Sequence, residues 1–298
     1  MRVKKWCSVI YTGVIVLGCI ITVSSLLEYR SLPPISTSCH KVVHISFDDV
    51  FTVLKELNNE AENYESIFEN DFFRDLKQLH QEYGAKFSLY IFEKDSDFNL
   101  ADMTIKFREE FKANASWLKF GFHAIQPEFD PNINIEDFQS SFKNTQRAIC
   151  YFADSSSLTS VLRLHYFYGN RKNIHLLTIG GVKGLLCADD ERDSYDLNEQ
   201  ENNILKQKFY FKKNIKYFKT DFRYENTWRI DYALSHLRNR DTLVLFTHEW
   251  AYRPLTVRQS AGYLIHHRCL PPNWFVKYNL EKSIKWLREH DYEFVFLE

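Results

Sequence analysis

Two adjacent carboxylates, Asp48 and Asp49, follow the largely apolar run 42–47. A short apolar run that ends abruptly is typical of a buried strand in a parallel sheet. Two carboxylates side by side repel one another, so the pair favours neither a helix nor a strand. One interpretation is a solvated turn that caps the next helix. The other is a site at which one carboxylate binds a metal ion while its neighbour acts as a general base.

Ionisable residues also stand at the ends of later apolar runs. They are, in chain order, His123, then Arg163, His165 and Tyr166 on one run, then Asp189, Asp221 and His248. In a barrel of parallel strands, the carboxyl ends of the strands converge on one face, where active sites lie. Each residue alone is compatible with a solvated turn, but their repetition favours a catalytic rim over a set of solvated loops.

These apolar runs alternate with helical patterns throughout residues 41–298. In the first helical stretch, the apolar residues at helical spacing and the glycine that ends them are Phe72, Phe73, Leu76, Leu79, Tyr83 and Gly84. Further strands are predicted at 86–92, 117–122, 160–167, 182–188, 216–222, 242–248 and 292–297. Such alternation predicts an α/β fold with a parallel sheet, arranged as a single (β/α) barrel over 41–298. An open doubly wound sheet is the alternative, although the chain lacks a GxGxxG turn.

The composition bears mainly on the partners of the protein. The 298 residues carry a net charge of −1, whereas a nucleic-acid-binding protein normally shows a clear basic excess. We therefore expect no nucleic-acid partner. The aromatic content of 16% suits a packed core or stacking on sugar rings, and composition does not separate the two. Cys150 and Cys187 have no CxxC spacing, and we expect free thiols there.

The N-terminus has the pattern of a membrane anchor. Arg2, Lys4 and Lys5 precede an apolar stretch that contains no charged residue before Glu28. This stretch is long enough to cross a bilayer, and the preceding positive charges favour a cytoplasmic N-terminus. We expect a basic stub and one transmembrane signal-anchor helix in 1–30, a linker in 31–40, and the remainder outside the cell membrane. A cleaved signal peptide is the alternative.

Taken in order, the strand-end motifs resemble those of the polysaccharide deacetylases, which are NodB-like carbohydrate esterases. The matching segments are ISFDDV (45–50), FGFHA (120–124), RLHY (163–166), KTDF (219–222) and LVLFTH (243–248). The resemblance spans residues 41–298, and it implies the deformed (β/α) barrel of that family. It also implies a hydrolase that removes acetyl groups from a cell-surface or capsular glycan.

The resemblance assigns roles to individual residues. Asp49 would bind a divalent metal, and Asp48 would take the proton from water. Arg163 would hold Asp48 in place and keep it ionised. His248 would protonate the leaving amine. Completing the catalytic set, the backbone N–H of Tyr166 would help to stabilise the oxyanion, and Asp221 would orient His248.

One departure from the family pattern concerns the metal. The family has a second metal histidine four residues after the first, whereas this chain has Pro127 four residues after His123. The metal, expected to be zinc, would therefore need another ligand besides Asp49 and His123. His165 replaces the usual proline of RLHY and is the preferred candidate. It lies two residues after Arg163, on the same face of the strand. Completing the candidate ligands, Glu128 is the less favoured choice.

Other features bear on the substrate and on alternative functions. Segment 251–278 is predicted to be a lid or binding loop whose Tyr252 and Trp274 line the substrate, together with Asp189. The lysine-rich and aromatic stretch 206–219 is read as a solvated hairpin rather than a grip on an anionic glycan. Two alternatives remain open. One is a glycoside hydrolase in which Asp48 pairs with Asp189 or with Asp221. The other is a metal-free barrel that only binds glycan.

Overall fold

Strands and helices alternate along the chain, as the apolar pattern predicts. A computed structural model describes residues 40–190, 192–206, 209–267 and 270–298. Its strands are β1 (Lys41–Val50), β2 (Phe87–Phe92), β3 (Leu118–Ala124), β4 (Val161–Leu162), β5 (Gly184–Leu186), β6 (Phe209–Lys212), β7 (Ile215–Phe218), β8 (Phe222–Arg223), β9 (Thr242–His248) and β10 (Tyr292–Phe294). Its helices are α1 (Thr52–Asn59), α2 (Asp71–Tyr83), α3 (Arg108–Ala113), α4 (Ile135–Phe152), α5 (Arg171–Ile179), α6 (Glu199–Leu205), α7 (Ile230–Leu237), α8 (Glu249–Tyr252), α9 (Val257–His267) and α10 (Val276–Glu289).

The strands form two sheets. In the first, the order is β3-β2-β1-β9-β8, with β10 paired to the start of β1, and in the second it is β4-β5-β7-β6. Every pair is parallel except β6–β7. The α/β class and the parallel pairing are therefore confirmed. Taken around the molecule, the strands follow the order of a (β/α) barrel.

Within the described residues, the wall of this barrel is interrupted at two places. Between β3 and β4, the link is an isolated parallel bridge from Phe120 to Leu158. Between β7 and β8, the antiparallel hairpin intervenes, because β7 pairs with β5 on one edge and with β6 on the other. Both edges of β7 are thus occupied, which leaves β8 to pair with β9 alone. The barrel is deformed by this hairpin.

Strand β1 separates an apolar layer from a polar interior. Val43, Ile45 and Phe47 are fully buried in the larger core, where they join apolar residues of α2 and α10. Because side chains alternate along a strand, Ser46 and Asp48 face the opposite side. There both receive hydrogen bonds from a buried arginine that follows β4. The alternation therefore aims the first carboxylate of the pair into the barrel.

The first predicted helix and the predicted hairpin both occur. Helix α2 begins after Asn70, whose side chain accepts the N–H of Phe72, and ends at Gly84 in the left-handed conformation (φ 73°). The stretch 206–219 includes the β6–β7 hairpin, with left-handed residues Lys213 and Asn214 in its turn. Its second strand is not solvated, since Ile215, Tyr217 and Phe218 are buried.

Segment 251–278 is more ordered than a loop, because it contains α9 and a 3-10 turn at Pro272–Trp274. The prediction that Tyr252 lines the substrate is wrong. Helix α8 follows β9 directly and turns Tyr252 into the core, where its ring lies 5.3 Å from that of Phe47 and 5.8 Å from that of Phe72. Only 3% of Tyr252 is exposed.

The predicted membrane anchor lies in residues 1–30, which are outside the described residues. In the part of the chain that is described, no helix combines the length and the apolar character needed to cross a bilayer.

Candidate active site

A carboxylate and two imidazoles converge at the ends of three strands. One ligand atom from each of Asp49, His123 and His165 lies within 4.8 Å of the others. His123 Nε2 is 3.1 Å and His165 Nδ1 is 3.3 Å from the same Asp49 oxygen. The preferred third ligand, His165, is thus beside the other two. Glu128 is not part of this group, because it lies on the exposed loop after β3.

Two backbone carbonyls orient the imidazoles. His123 Nδ1 lies 2.5 Å from the carbonyl of Arg163, and His165 Nε2 lies 3.2 Å from the carbonyl of Pro127. A carbonyl only accepts hydrogen bonds, so each of these nitrogens must donate. In each neutral ring, the other nitrogen then presents a lone pair toward Asp49. The carbonyl of Pro127 thus orients the His165 ring.

This donor set fits a divalent cation. Burial disfavours a charged Asp49, but when His123 and His165 are protonated, their hydrogen bonds hold the pKa of the carboxyl well below its ordinary value. When both rings are neutral, lone pairs of Asp49, His123 and His165 face one another instead. Three lone pairs that converge on one point repel one another unless a positive charge lies between them. One carboxylate and two imidazoles are ligands that zinc and similar ions take in catalytic sites.

The second carboxylate of the pair has a different environment. Asp48 is 2% exposed, and its Oδ1 accepts a hydrogen bond of 3.1 Å from Arg163 Nη1. Arg163 is itself completely buried, and it also donates to Ser46 Oγ at 3.0 Å and to Thr220 Oγ1 at 3.1 Å. Its guanidinium lies 3.9 Å from the centre of the Phe246 ring. The predicted contact between Arg163 and Asp48 is present, and it balances a buried charge.

Backbone strain marks both loops of the site. Asp49, Tyr166 and Phe167 have left-handed φ values of 54°, 54° and 57°. Such conformations cost about 1–3 kcal/mol each in residues other than glycine, and they cluster at functional sites. Strand alternation alone would point Asp49 away from the side that Asp48 faces, and the left-handed turn at Asp49 instead brings both carboxylates to the side of His248. Tyr166, predicted to act through its backbone N–H, has an exposed side chain.

His248 lies across from Asp48, since the two residues are paired in the β1–β9 register. Its Nδ1 makes a short hydrogen bond with Glu225 Oε1, and its Nε2 is 3.9 Å from Asp49 Oδ2. Burial disfavours the charged imidazolium, but the hydrogen bond with Glu225 and the charges of Glu225, Asp48 and Asp49 together outweigh it and raise the pKa of His248. A carboxylate-held imidazole with a raised pKa can donate a proton near neutral pH.

The prediction that Asp221 orients His248 is therefore wrong. Asp221 Oδ2 instead accepts the backbone N–H of Val244 at 2.8 Å, near the middle of β9. Asp221 precedes β8, whereas Glu225 follows it. The rule that functional groups follow the carboxyl ends of strands would have selected Glu225 if the short strand had been placed correctly.

Trp250 also escaped the sequence prediction. Its Nε1 donates to Asp49 Oδ2 at 3.2 Å, and its ring stacks on His248 with centroids 5.3 Å apart. The side chain is 48% exposed, so it covers the site from the solvent side. Trp250 lies two residues after His248 in the sequence, and this spacing could have indicated that it lies at the site.

The remaining predicted substrate residues have other partners. Asp189 forms a bidentate ion pair with Arg223, one contact of which is 2.9 Å long, so its carboxylate is already satisfied. Trp274 is exposed, and its indole N–H points to Ser260 Oγ at 3.4 Å. Its role in substrate binding stays a prediction.

Comparison with known proteins returns matches among solved structures alone. No protein-family model and no curated protein matches the chain. It is similar to a peptidoglycan N-acetylglucosamine deacetylase (13% identity, 88% of each chain covered, TM-score 0.44). It is also similar to a family 4 acetyl xylan esterase from Clostridium thermocellum in complex with cobalt (12% identity, 86% of this chain and 87% of that chain, TM-score 0.42). A third is a mutant of a CE4 family pseudoenzyme (9% identity, 89% of this chain and 70% of that chain, TM-score 0.43).

These structures come from the family that the sequence motifs resemble. The identities and TM-scores are too low to transfer an activity from them. The functional argument therefore rests on the geometry of the site.

Proposed function

We propose that this protein is a metal-dependent hydrolase that removes acetyl groups from a cell-surface or capsular glycan. One observation carries the proposal. The Asp49, His123 and His165 ligand atoms meet within 4.8 Å of one another. They do so beside a carboxylate held by arginine and an imidazole held by glutamate.

Asp49, His123 and His165 would hold the divalent ion, and zinc suits their donor atoms. A bound divalent ion supplies Lewis-acid chemistry that polarises the acyl carbonyl. The chain's own residues would do the proton transfers. Asp48 accepts a proton from the attacking water, while Arg163 holds the carboxylate in position. The backbone N–H of Tyr166 remains a proposed donor to the oxyanion.

His248 would donate a proton to the leaving nitrogen or oxygen, while Glu225 holds its Nδ1. Because Asp48 and His248 are paired across β1 and β9, they stand about one strand spacing apart, roughly 4.8 Å. Base and acid can therefore act on the two sides of one acyl carbon. A bond from water oxygen to that carbon forms, the bond from carbon to the sugar nitrogen or oxygen breaks, and acetate is released.

The test is acetate release from a panel of N-acetylated and O-acetylated glycans, measured with the metal-loaded protein. We expect Asp48→Asn to lower turnover by about 100-fold or more, because a general base contributes about that much. Glu136→Gln removes an exposed carboxylate from α4 and should leave turnover unchanged. If the loaded protein releases no acetate but still binds glycan, the binding-only alternative replaces this proposal.

The glycoside hydrolase alternative finds no such support. It needs a second carboxylate that is free to act with Asp48. Asp189 is paired with Arg223, and Asp221 accepts a backbone N–H inside the sheet.

We also propose a single-pass anchor with the catalytic domain outside the cell. The basic residues Arg2, Lys4 and Lys5 before a long uncharged stretch support it. Protease added to intact cells should remove residues 41–298, and full protection of these residues would reverse the topology.

A further inference from the structure

A cavity of about 500 Å³ opens beside the candidate metal centre. His123 and His165 form part of one wall, and the loop after β3 and the first half of α4 form others. Its volume lies in the range of small-molecule sites, about 300–1,000 Å³. Asp48, Asp49 and His248 do not line this cavity.

A buried carboxylate without a cationic partner lines the cavity. Glu93, which follows β2, is 7% exposed, and its Oε1 accepts a hydrogen bond of 2.9 Å from Asn144 Nδ2. Within residues 40–190, 192–206, 209–267 and 270–298, no lysine, arginine or histidine forms an ion pair with it. Buried carboxylates are normally paired with a cation. Glu93 therefore has capacity to bind a positively charged group in the cavity.

A second polar group of the cavity is also unsatisfied. Ser141 on α4 lines the cavity and is 2% exposed, and its Oγ has no hydrogen-bond partner within the described residues. A buried hydroxyl without a partner costs free energy, so native proteins usually satisfy it with a protein group, a water molecule or a ligand. Glu93 and Ser141 together offer an anionic acceptor and a hydroxyl to one bound molecule.

Aromatic rings stand at the rim of the same cavity. Phe129 and Tyr168 line it, and the centre of the Phe129 ring lies 5.3 Å from that of Tyr168 and 4.9 Å from that of Tyr166. All three side chains are exposed. Clustered exposed rings offer flat apolar surfaces with polar edges, which suit stacking on the faces of sugar rings.

We propose that this cavity is a glycan subsite that binds a sugar bearing a free ammonium group, with Glu93 accepting the ammonium. The inference rests on the proposed function, because deacetylation of an N-acetylated sugar produces such an amino sugar. His165 borders both the candidate metal centre and the cavity, so one glycan chain can occupy both. A sugar unit that has already lost its acetyl group would lie in the cavity while another sugar unit of the same glycan reacts at the metal centre. The substrate would then be a partly deacetylated hexosamine chain.

Equilibrium binding to the full chain tests the proposal, with glucosamine tetramer and N-acetylglucosamine tetramer as probes. The glucosamine tetramer has no acetyl group, so its binding does not depend on turnover. Failure of the hydrolase proposal would appear instead in the acetate-release test. We expect tighter binding of the glucosamine tetramer. Glu93→Gln should weaken that binding about tenfold, as expected for one charge-assisted hydrogen bond, and leave the N-acetylated probe unaffected.

Two further variants make the result decisive. Glu136→Gln removes the same charge from the exposed side of α4 and should change neither affinity. Phe129→Ala removes an exposed ring and should weaken both probes alike. Equal wild-type affinity for the two probes would overturn the proposal, as would equal losses in the Glu93 and Glu136 variants. If Glu93→Gln does not fold, unchanged glucosamine binding in Phe129→Ala would overturn it.

Discussion

At the scale of single residues, Pro127 contributes to the candidate metal centre through its backbone. It has no side-chain donor, and the motif that the sequence resembles has a histidine at this position. The imidazole of His165 lies beside Asp49 and His123, and the Pro127 carbonyl lies 3.2 Å from its Nε2. The carbonyl of Pro127 therefore orients one of the three candidate ligands.

The first prediction concerns this ligand set. Purified His165→Ala should lose bound metal to the same degree as Asp49→Ala and His123→Ala, because the ligand atoms of all three side chains lie within 4.8 Å of one another. Glu128→Ala should keep its metal, since Glu128 is outside this group. Metal content after dialysis, measured by mass spectrometry, checks the prediction. Retention by His165→Ala together with loss from Glu128→Ala would reverse the ligand assignment.

The second prediction separates two carboxylates that lie four residues apart. Glu225→Gln should lower kcat by about 10–100-fold, a typical cost of losing a group that orients a functional histidine. Asp221→Asn should leave kcat unchanged, because Asp221 contacts the backbone of Val244 and not His248. Steady-state acetate release from both variants decides the point. A larger loss in Asp221→Asn would restore the role that the family resemblance implied.

At the scale of elements, a helix or strand could be predicted where the residues that determine it lie close together in the sequence. Helix α2 was predictable because its apolar spacing and Gly84 lie in the sequence itself. Strand alternation predicted that His165 lies beside Asp49 and His123, and it does, but the reason differs, because β4 ends at Leu162 and His165 begins a 3-10 turn. The interrupted barrel was not predictable, because the β6–β7 hairpin is local, but its place on the edge of β7, where β8 would otherwise pair, depends on β5 and β9, which are distant in sequence. Glu225 was missed because β8 contains only Phe222 and Arg223 and shows no apolar run.

The third prediction is the pH dependence that Asp221 gives to this sheet. Burial raises the pKa of Asp221 to about 6. The folded state then holds this proton more tightly than the unfolded chain, whose carboxyl titrates near its ordinary value of 3.8. Stability should therefore fall as pH rises from about 4 to 6, by about 1.4 kcal/mol per pH unit, and the loss should then level off.

Asp221→Asn keeps an acceptor for the Val244 N–H and removes the titrating group. The free energy of unfolding of Asp221→Asn minus that of wild type should be larger at pH 7 than at pH 4, by about 2–3 kcal/mol. Urea unfolding at several pH values measures this difference. Asp241→Asn, an exposed neighbour, serves as the control and should show no such trend. A constant difference between Asp221→Asn and wild type across this range would mean that Asp221 is already ionised in the folded state at low pH.

At the scale of the whole molecule, one buried arginine joins the two sheets. Arg163 follows β4 of the second sheet and donates to Ser46 and Asp48 on β1 of the first. It also donates to Thr220, in the segment between β7 and β8 where the barrel wall is interrupted. The residue that holds the proposed base therefore also bridges the two halves of the barrel.

The last prediction is that Arg163 and Asp48 are coupled in stability as well as in chemistry. Arg163→Met leaves the 2%-exposed Asp48 carboxylate without its cation, and should lower the free energy of unfolding by about 3–5 kcal/mol. The double variant Asp48→Asn/Arg163→Met removes both charges, so its loss should be smaller than the sum of the single losses by about 0.5–3 kcal/mol. Arg74→Met is the control, since Arg74 is 55% exposed and pairs with the exposed Asp71, and it should cost less than about 1 kcal/mol. Urea unfolding of wild type, the two single variants, the double variant and the control gives these values. Additive losses would show that Arg163 stabilises the barrel through its contacts with Ser46, Thr220 and Phe246, and that its contact with Asp48 serves only to position the base.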